Sequence, residues 1–336
     1  MGTLLLRLVR HPLVKSFLER VAIPLGDVLL APFIFVAALL LKSVRRVGVY
    51  RMRVSRAILQ GVGVFPIRDH YYEPLFHPRH LRHALAEERP LPGIDMNAEG
   101  QLALLERFAF QDELRAFPRR HTSSLEYCYD NRNFGPGDAE VLYSLIRLYR
   151  PAAIVEIGSG MSTLMAVNAV RANRREDPAY ACRQTCIEPY EMEWLERIPD
   201  VELVREKLES LDDSLFRGLG PGDMLFIDSS HVIRPQGDVL REILEILPIL
   251  RPGVIVHLHD IFTPRDYPDE WVVDQVRLWN EQYLVEAFLT HNREFRVLAA
   301  VNWLTRHHRE KLVAKCPVLG EGLEPCLPAS LWLQRV

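Results

Sequence analysis

Residues 152–163 read Ala-Ala-Ile-Val-Glu-Ile-Gly-Ser-Gly-Met-Ser-Thr. A short apolar run holding one carboxylate leads there into two glycines one residue apart, then two hydroxyl residues. The run reads as a buried strand over 152–158, and Ser162 and Thr163 as caps of a helix reaching about 172. In open α/β sheets ligands sit where such strands end, and Gly158 and Gly160 let the backbone approach a ligand with no Cβ in the way. A two-glycine turn is a weak signal alone, because dinucleotide sites use Gly-x-Gly-x-x-Gly with the pyrophosphate at the helix start. Position 163, where the third glycine would fall, is Thr. Glu156 also speaks against a pyrophosphate, since a carboxylate beside the turn suits a cationic amino-acid ligand.

Outward from this turn, short apolar runs alternate with helical periodicity. Upstream, 138–149 puts Leu142, Leu145, Ile146 and Tyr149 on one helical face and ends at Arg150-Pro151. Downstream, strands are expected at 183–189, 201–206, 223–230 and 253–262, with a helix reaching Leu250 between the last two. A long helix is expected over 269–291, and two final strands at 295–301 and 330–336. Such alternation gives an α/β fold whose sheet is covered on both faces.

Two further groups fall at strand ends. Glu188 closes the second strand in Cys-Ile-Glu-Pro, and a carboxylate there can accept bonds from both hydroxyls of a ribose. Residues 226–231 read Phe-Ile-Asp-Ser-Ser-His, and 256–260 read Val-His-Leu-His-Asp. These strands are neighbours in a sheet of this kind, so Asp228, His231, His259 and Asp260 should converge. His257 and His259 share one strand face. Polar residues closing apolar strands are costly unless they bond or ligate something.

On these residues, the stretch from about 134 to 336 resembles the class I S-adenosylmethionine-dependent methyltransferases, whose first motif is Glu/Asp-x-Gly-x-Gly. The resemblance implies a seven-stranded Rossmann-like sheet, mostly parallel with the last strand antiparallel. It implies S-adenosylmethionine as cofactor, held by Glu156, Gly158, Gly160, Ser162, Thr163, Glu188 and Asp228. Asn133 and Phe134, just ahead of the sheet, would close over it. The second group looks like that of the metal-assisted O-methyltransferase branches, which implies Asp228, His259 and Asp260 as ligands of Mg²⁺ or another divalent metal. An acid is usual in those branches where this chain has His259, and imidazole is a softer ligand than Mg²⁺ prefers. Proton transfer is the alternative, with His231 or His259 as general base and Asp228 beside them. The implied acceptor is a hydroxyl of a small molecule or a glycan. Two other readings stand beside this one: a nicotinamide-dependent oxidoreductase, which wants the missing glycine, and a non-catalytic, membrane-associated protein with the same fold.

Composition narrows the partners. A formal charge of −3 and the lack of long basic runs give no general attraction to nucleic acid. Five scattered cysteines with no Cys-x-x-Cys pair support neither a zinc knuckle nor a disulfide framework, which suits a reducing, cytoplasmic setting. Ten Lys and Arg crowd the first 56 residues against only Glu19 and Asp27. Among them, 28–41 is an uncharged apolar run of fourteen, short of the roughly 20 residues a helix needs to cross a bilayer. A buried core helix, a full span, and a helix or hairpin bent at Pro24 or Pro32 that dips into one leaflet all fit. The basic residues on both flanks favour the last, attaching the chain to the inner membrane face through 21–46. Residues 1–56 thus read as a basic, apolar helical segment, 57–133 as a cap or substrate region with a helix near 99–116, and 134–336 as the catalytic domain. The Tyr/His/Pro-rich stretch at 70–80 either lines an acceptor pocket or simply packs.

Overall fold

The glycine turn closes the first strand of a seven-stranded sheet in the computed structural model, which describes residues 12–123, 125–322 and 327–336. The strands are β1 (Ala153–Ile157), β2 (Arg183–Ile187), β3 (Val201–Val204), β4 (Met224–Ile227), β5 (Ile255–Leu258), β6 (Phe295–Ala300) and β7 (Leu331–Arg335). Their order is β3-β2-β1-β4-β5-β7-β6. The first five pair in parallel, and β7 runs antiparallel between β5 and β6. This is the class I methyltransferase sheet. The central strands β1, β4 and β5 are short, mostly apolar runs buried almost throughout, as strands covered on both faces must be, and β2 (Arg-Gln-Thr-Cys-Ile) is buried after Arg183 although its residues are mostly polar.

The chain leaves β1 for β2 on one side and returns to β4 on the other. Between β1 and β4 the winding reverses, which opens a crevice at their carboxyl ends. The register aligns those ends, with Ile157 opposite both Ile187 and Ile227. One face of the sheet is covered by helices α5 (Asp138–Tyr149) and α6 (Met161–Glu176) and also by α3 (Ala98–Glu106) and α4 (Gln111–Arg115), whose Leu104, Leu105 and Leu114 join that core. Gln101 stitches α3 to the sheet, accepting from Ala300 N at 2.8 Å. The other face is covered by the segment around Val239, Ile243 and Ile246 and by α7 (Glu281–Leu289).

Three expected helices are interrupted. The stretch 99–116 forms α3 and α4, separated at 107–110. The helix before Leu250 widens into a π turn at Glu242–Ile246, just before Pro248, which has no N–H to offer the preceding turn. The stretch 269–291 holds a π turn at Glu270–Asp274, then an irregular passage where Val276 has φ +52°, and only then α7. Tertiary bonds fix that break: Asn280 N and Glu281 N donate to the carbonyl of His231, and Asn280 Oδ1 accepts from Ile233 N at 2.6 Å.

The chain divides into two compact units, one ending at Arg82 and one beginning at His83. The boundaries read from sequence at 56 and 133 therefore do not coincide with the structural one. Residues 57–82 belong with the N-terminal helices, and 83–133 pack as part of the sheet domain.

In the first unit, α1 (Ile23–Val47) continues the helical segments Pro12–Phe17 and Leu18–Ala22. Leu18–Val47 is long and apolar enough to cross a membrane, and none of its most apolar stretch is buried. Pro32 lies inside α1, which runs through it as one helix with no hairpin. After α2 (Arg53–Val62), the chain is pinned by Glu73, a carboxylate bonded by Arg45 Nε, Arg68 Nε and Arg68 N. Burial alone would raise its pKa, but these cations and the N–H hold it at about 2. Tyr71 and Tyr72 in the 70–80 stretch are exposed.

Candidate active site

A cavity of about 560 Å³ opens at the carboxyl ends of β1, β2 and β4. The turn after β1 forms its floor. Gly158 has φ +75°, and a Cβ there would lie 1.8 Å from the backbone oxygen of Asp228, so only glycine allows β1 and β4 to close together. A Cβ on Gly160 would meet nothing nearer than Met192 Cε at 3.9 Å. Its bareness leaves room in the cavity itself. Glu188 lines the wall, held by Tyr190 N at 3.0 Å, Glu191 N at 2.9 Å and Ser159 N at 3.3 Å. A carboxylate has about four lone-pair sites, so one bonded in this way can still accept from a diol. Asn133, Phe134, Ser162 and Asp228 also line the cavity. The loop bearing the first two is knotted by Asn131, whose Oδ1 accepts from Asn133 N and Phe134 N.

Glu156 and Thr163 do not line the cavity, contrary to the sequence reading. Glu156 is buried and accepts from Ser162 Oγ at 2.5 Å, Thr163 Oγ1 at 2.7 Å and Cys186 Sγ at 3.3 Å. Thr163 Oγ1 in turn accepts from Gly160 N at 3.0 Å. Successive strand residues face opposite sides, and this register turns Glu156 toward α6. Together the two residues fasten the helix start to the strand and so shape the turn. Burial raises the Glu156 pKa to about 7 despite those donors.

Beside the cavity, Asp228, His231 and Asp260 bring one ligand atom each within 4.8 Å of one another. His231 Nε2 is 3.3 Å from Asp228 Oδ1 and 3.6 Å from Asp260 Oδ2, and its Nδ1 is 2.8 Å from Glu281 Oε2. His231 and Asp260 both have positive φ, at +59° and +56°, so the two strand-end loops are bent to aim these side chains. Burial pulls the His231 pKa down, but Asp228 and Glu281 outweigh it and raise the pKa well above the usual value. Burial pushes Asp228 the other way, but His259 and His231 hold it at about 2.

The expected metal set had His259 where the structure puts His231. His259 stands 3.6 Å from Asp260 Oδ1, buried against the Phe134 ring, outside the trio. His257 lies deeper still, stacked at 3.8 Å on Phe226 with Nε2 2.9 Å from Ser330 Oγ. Burial lowers its pKa well below the usual value, so it stays neutral packing. The donor set of the trio fits a divalent cation. With no cation bound, the trio is balanced by the His231 imidazolium, whose Nδ1–H donates to Glu281 and whose Nε2–H faces the carboxylates. A divalent cation would take the place of the Nε2 proton, leaving Nε2 and the two carboxylates as its ligands. Two oxygens and one imidazole suit Mn²⁺, Fe²⁺ or Zn²⁺ better than Mg²⁺.

Residues 155–261, from β1 to just past β5, match the family model described as a methyltransferase domain. A protein of Archaeoglobus fulgidus, itself uncharacterised, is 30% identical over 168 residues, spanning 46% of this chain and 74% of its own. The chain belongs to the methyltransferase-domain family. It is an S-adenosylmethionine-dependent methyltransferase. Solved structures show more distant likenesses. An O-methyltransferase of Bacillus cereus in complex with S-adenosylhomocysteine is 16% identical, with a TM-score of 0.32 over 58% of this chain and 82% of its own. The 1,6-didemethyltoxoflavin-N1-methyltransferase of Burkholderia thailandensis is 15% identical, with a TM-score of 0.31 over 74% and 92%.

Several residues of the methyltransferase site escape a reading by motif. Met161, Tyr190, Met192 and Lys207 line the cavity. Glu281 is fifty residues from the histidine it orients, and Trp279 lies with its ring 4.3 Å from the same imidazole. Asn280-Glu281 interrupting an otherwise helical stretch is the one sequence signal that could have drawn attention to that corner.

Proposed function

We propose that this methyltransferase passes its methyl group to a hydroxyl oxygen of a small molecule or glycan, with Asp228, His231 and Asp260 receiving that hydroxyl. The observation that carries the reading is Asp228, which lines the cavity and also belongs to the trio. An acceptor oxygen held at the trio therefore lies beside the space that fits the methyl donor. The oxygen attacks the methyl carbon as the carbon–sulfur bond breaks, S-adenosylhomocysteine leaves as a neutral thioether, and the hydroxyl proton passes toward the carboxylates. Alignment of oxygen, carbon and sulfur supplies most of the acceleration. Glu188 anchors the donor by its ribose, the glycine turn admits its backbone-facing side, and Glu281 fixes the His231 ring. A divalent cation at the trio, when bound, would lower the pKa of the acceptor hydroxyl.

Turnover of S-adenosylmethionine against a panel of hydroxyl acceptors tests this, with chelator and with added Mn²⁺. Turnover that falls with chelator, returns with Mn²⁺ and drops about 10²-fold in Asp260→Asn with S-adenosylhomocysteine binding kept supports it. Chelator-resistant turnover abolished by His231→Asn would replace the metal with a histidine base. Undiminished turnover in both variants would remove the trio from the chemistry.

The membrane reading rests on α1, whose apolar side chains face outward along its length and are followed by Lys42, Arg45 and Arg46. In this reading α1 embeds in a membrane with those cations at the headgroups on the cytoplasmic side. Recovery in the pellet after alkaline carbonate extraction is the expected result, and release into the supernatant the contrary one.

A further inference from the structure

Helix α2 is partly buried only along Ser55 and Leu59, and the rest of its surface divides into two unlike faces. Arg53, Arg56 and Gln60 fall together on one side at helical spacing, with Ala57 at their edge, and Val54, Ile58 and Val62 on the other. Arg56 and Gln60 line a cavity of about 500 Å³ together with Arg45, Arg68 and Glu73. The opposite face is bare, with Val54 75%, Ile58 60% and Val62 71% exposed. A soluble surface does not ordinarily present three β-branched side chains in a row at one turn's spacing.

Charge and tether identify what covers this face. From Lys42 to Arg68 the chain carries seven Lys and Arg and no Asp or Glu. Arg53 follows the end of α1 at Val47 by six residues, a reach of at most about 20 Å. Where α1 enters a membrane, as proposed above, α2 is therefore held at the same boundary. We propose that α2 lies in the plane of an anionic bilayer surface, its Val54/Ile58/Val62 face in the acyl boundary and its arginines at the lipid phosphates. It is a second membrane contact, separate from α1, that adds preference for anionic lipid.

The test uses the full chain reconstituted in vesicles, with an environment-sensitive fluorophore on Ile58→Cys or on Gln60→Cys, and the parent labelled in parallel for background. Among the described residues Cys128, Cys182, Cys186 and Cys316 are buried, which limits competing labelling, and Cys326→Ser is carried in the parent and in both probe variants. The Ile58 probe should shift to the blue and be quenched by nitroxide-bearing lipids, while the Gln60 probe should stay as in buffer. The shift should be larger on vesicles containing phosphatidylglycerol than on phosphatidylcholine alone. A chain that floats with vesicles while both probes report water overturns this inference and leaves α1 in the membrane. A chain that does not float overturns both. A shift indifferent to phosphatidylglycerol overturns the lipid preference.

Discussion

Gly158 shows how closely one residue can bind sequence to site. Its φ of +75° and the 1.8 Å approach to the Asp228 carbonyl leave no space for a methyl group. Gly158→Ala should cost more than about 3 kcal/mol in denaturant unfolding, since it strains the backbone and separates β1 from β4. A loss under about 1 kcal/mol would mean that the two strands close differently. Glu156 carries a second prediction. Its folded pKa of about 7 lies above the ordinary 4.5. Its stabilising contribution is therefore full below pH 4.5 and lost as the pH rises through about 7, by up to roughly 3 kcal/mol. Glu156→Gln should flatten the fall in Tm across that window, and an unchanged slope would show that Glu156 titrates normally. At this scale the sequence put the glycines, Glu188 and Asp228 at strand ends, and there they line the cavity, because a strand-end position is a local feature. Glu156 was expected at the ligand and bonds Ser162, Thr163 and Cys186, a set of partners that sequence does not give because it does not show toward which face of the sheet a strand residue turns.

Among the elements, all seven strands were legible and the helices less so. Buried parallel strands announce themselves as compact apolar runs bounded by turn residues, whatever lies around them. The stretch 269–291 has helical periodicity throughout, but bonds from Asn280 and Glu281 to the loop at 231–233 outweigh it. His231 was thus identified without the element that orients it, and the metal set took His259 from its own strand. Asn280→Ala removes the acceptor of Ile233 N and should lower stability by about 1–2 kcal/mol. It should also weaken Mn²⁺ binding measured by calorimetry, because the loop carrying His231 loosens. Retained Mn²⁺ affinity would show that the loop holds its shape unaided.

The whole molecule is two units, and the cavity, the trio and both sheet cores lie in the one beginning at His83. A fragment of residues 83–336 should therefore unfold cooperatively and bind S-adenosylhomocysteine as the full chain does, while no longer pelleting with membranes. A fragment that fails to fold would place part of the domain's stability before residue 83. Composition set the basic, apolar N-terminal stretch apart at 56, whereas the compact units divide at 82/83, since packing against the sheet rather than polarity assigns 83–133 to the second unit.

The most direct test is calorimetric titration of the full chain with S-adenosylhomocysteine and, separately, with NAD, repeated on Glu188→Ala. One molecule of S-adenosylhomocysteine should bind per chain, at least about tenfold more weakly in Glu188→Ala, with no heat from NAD. Binding of NAD in place of S-adenosylhomocysteine, or equal S-adenosylhomocysteine affinity in Glu188→Ala, would contradict a methyl-donor site at the glycine turn.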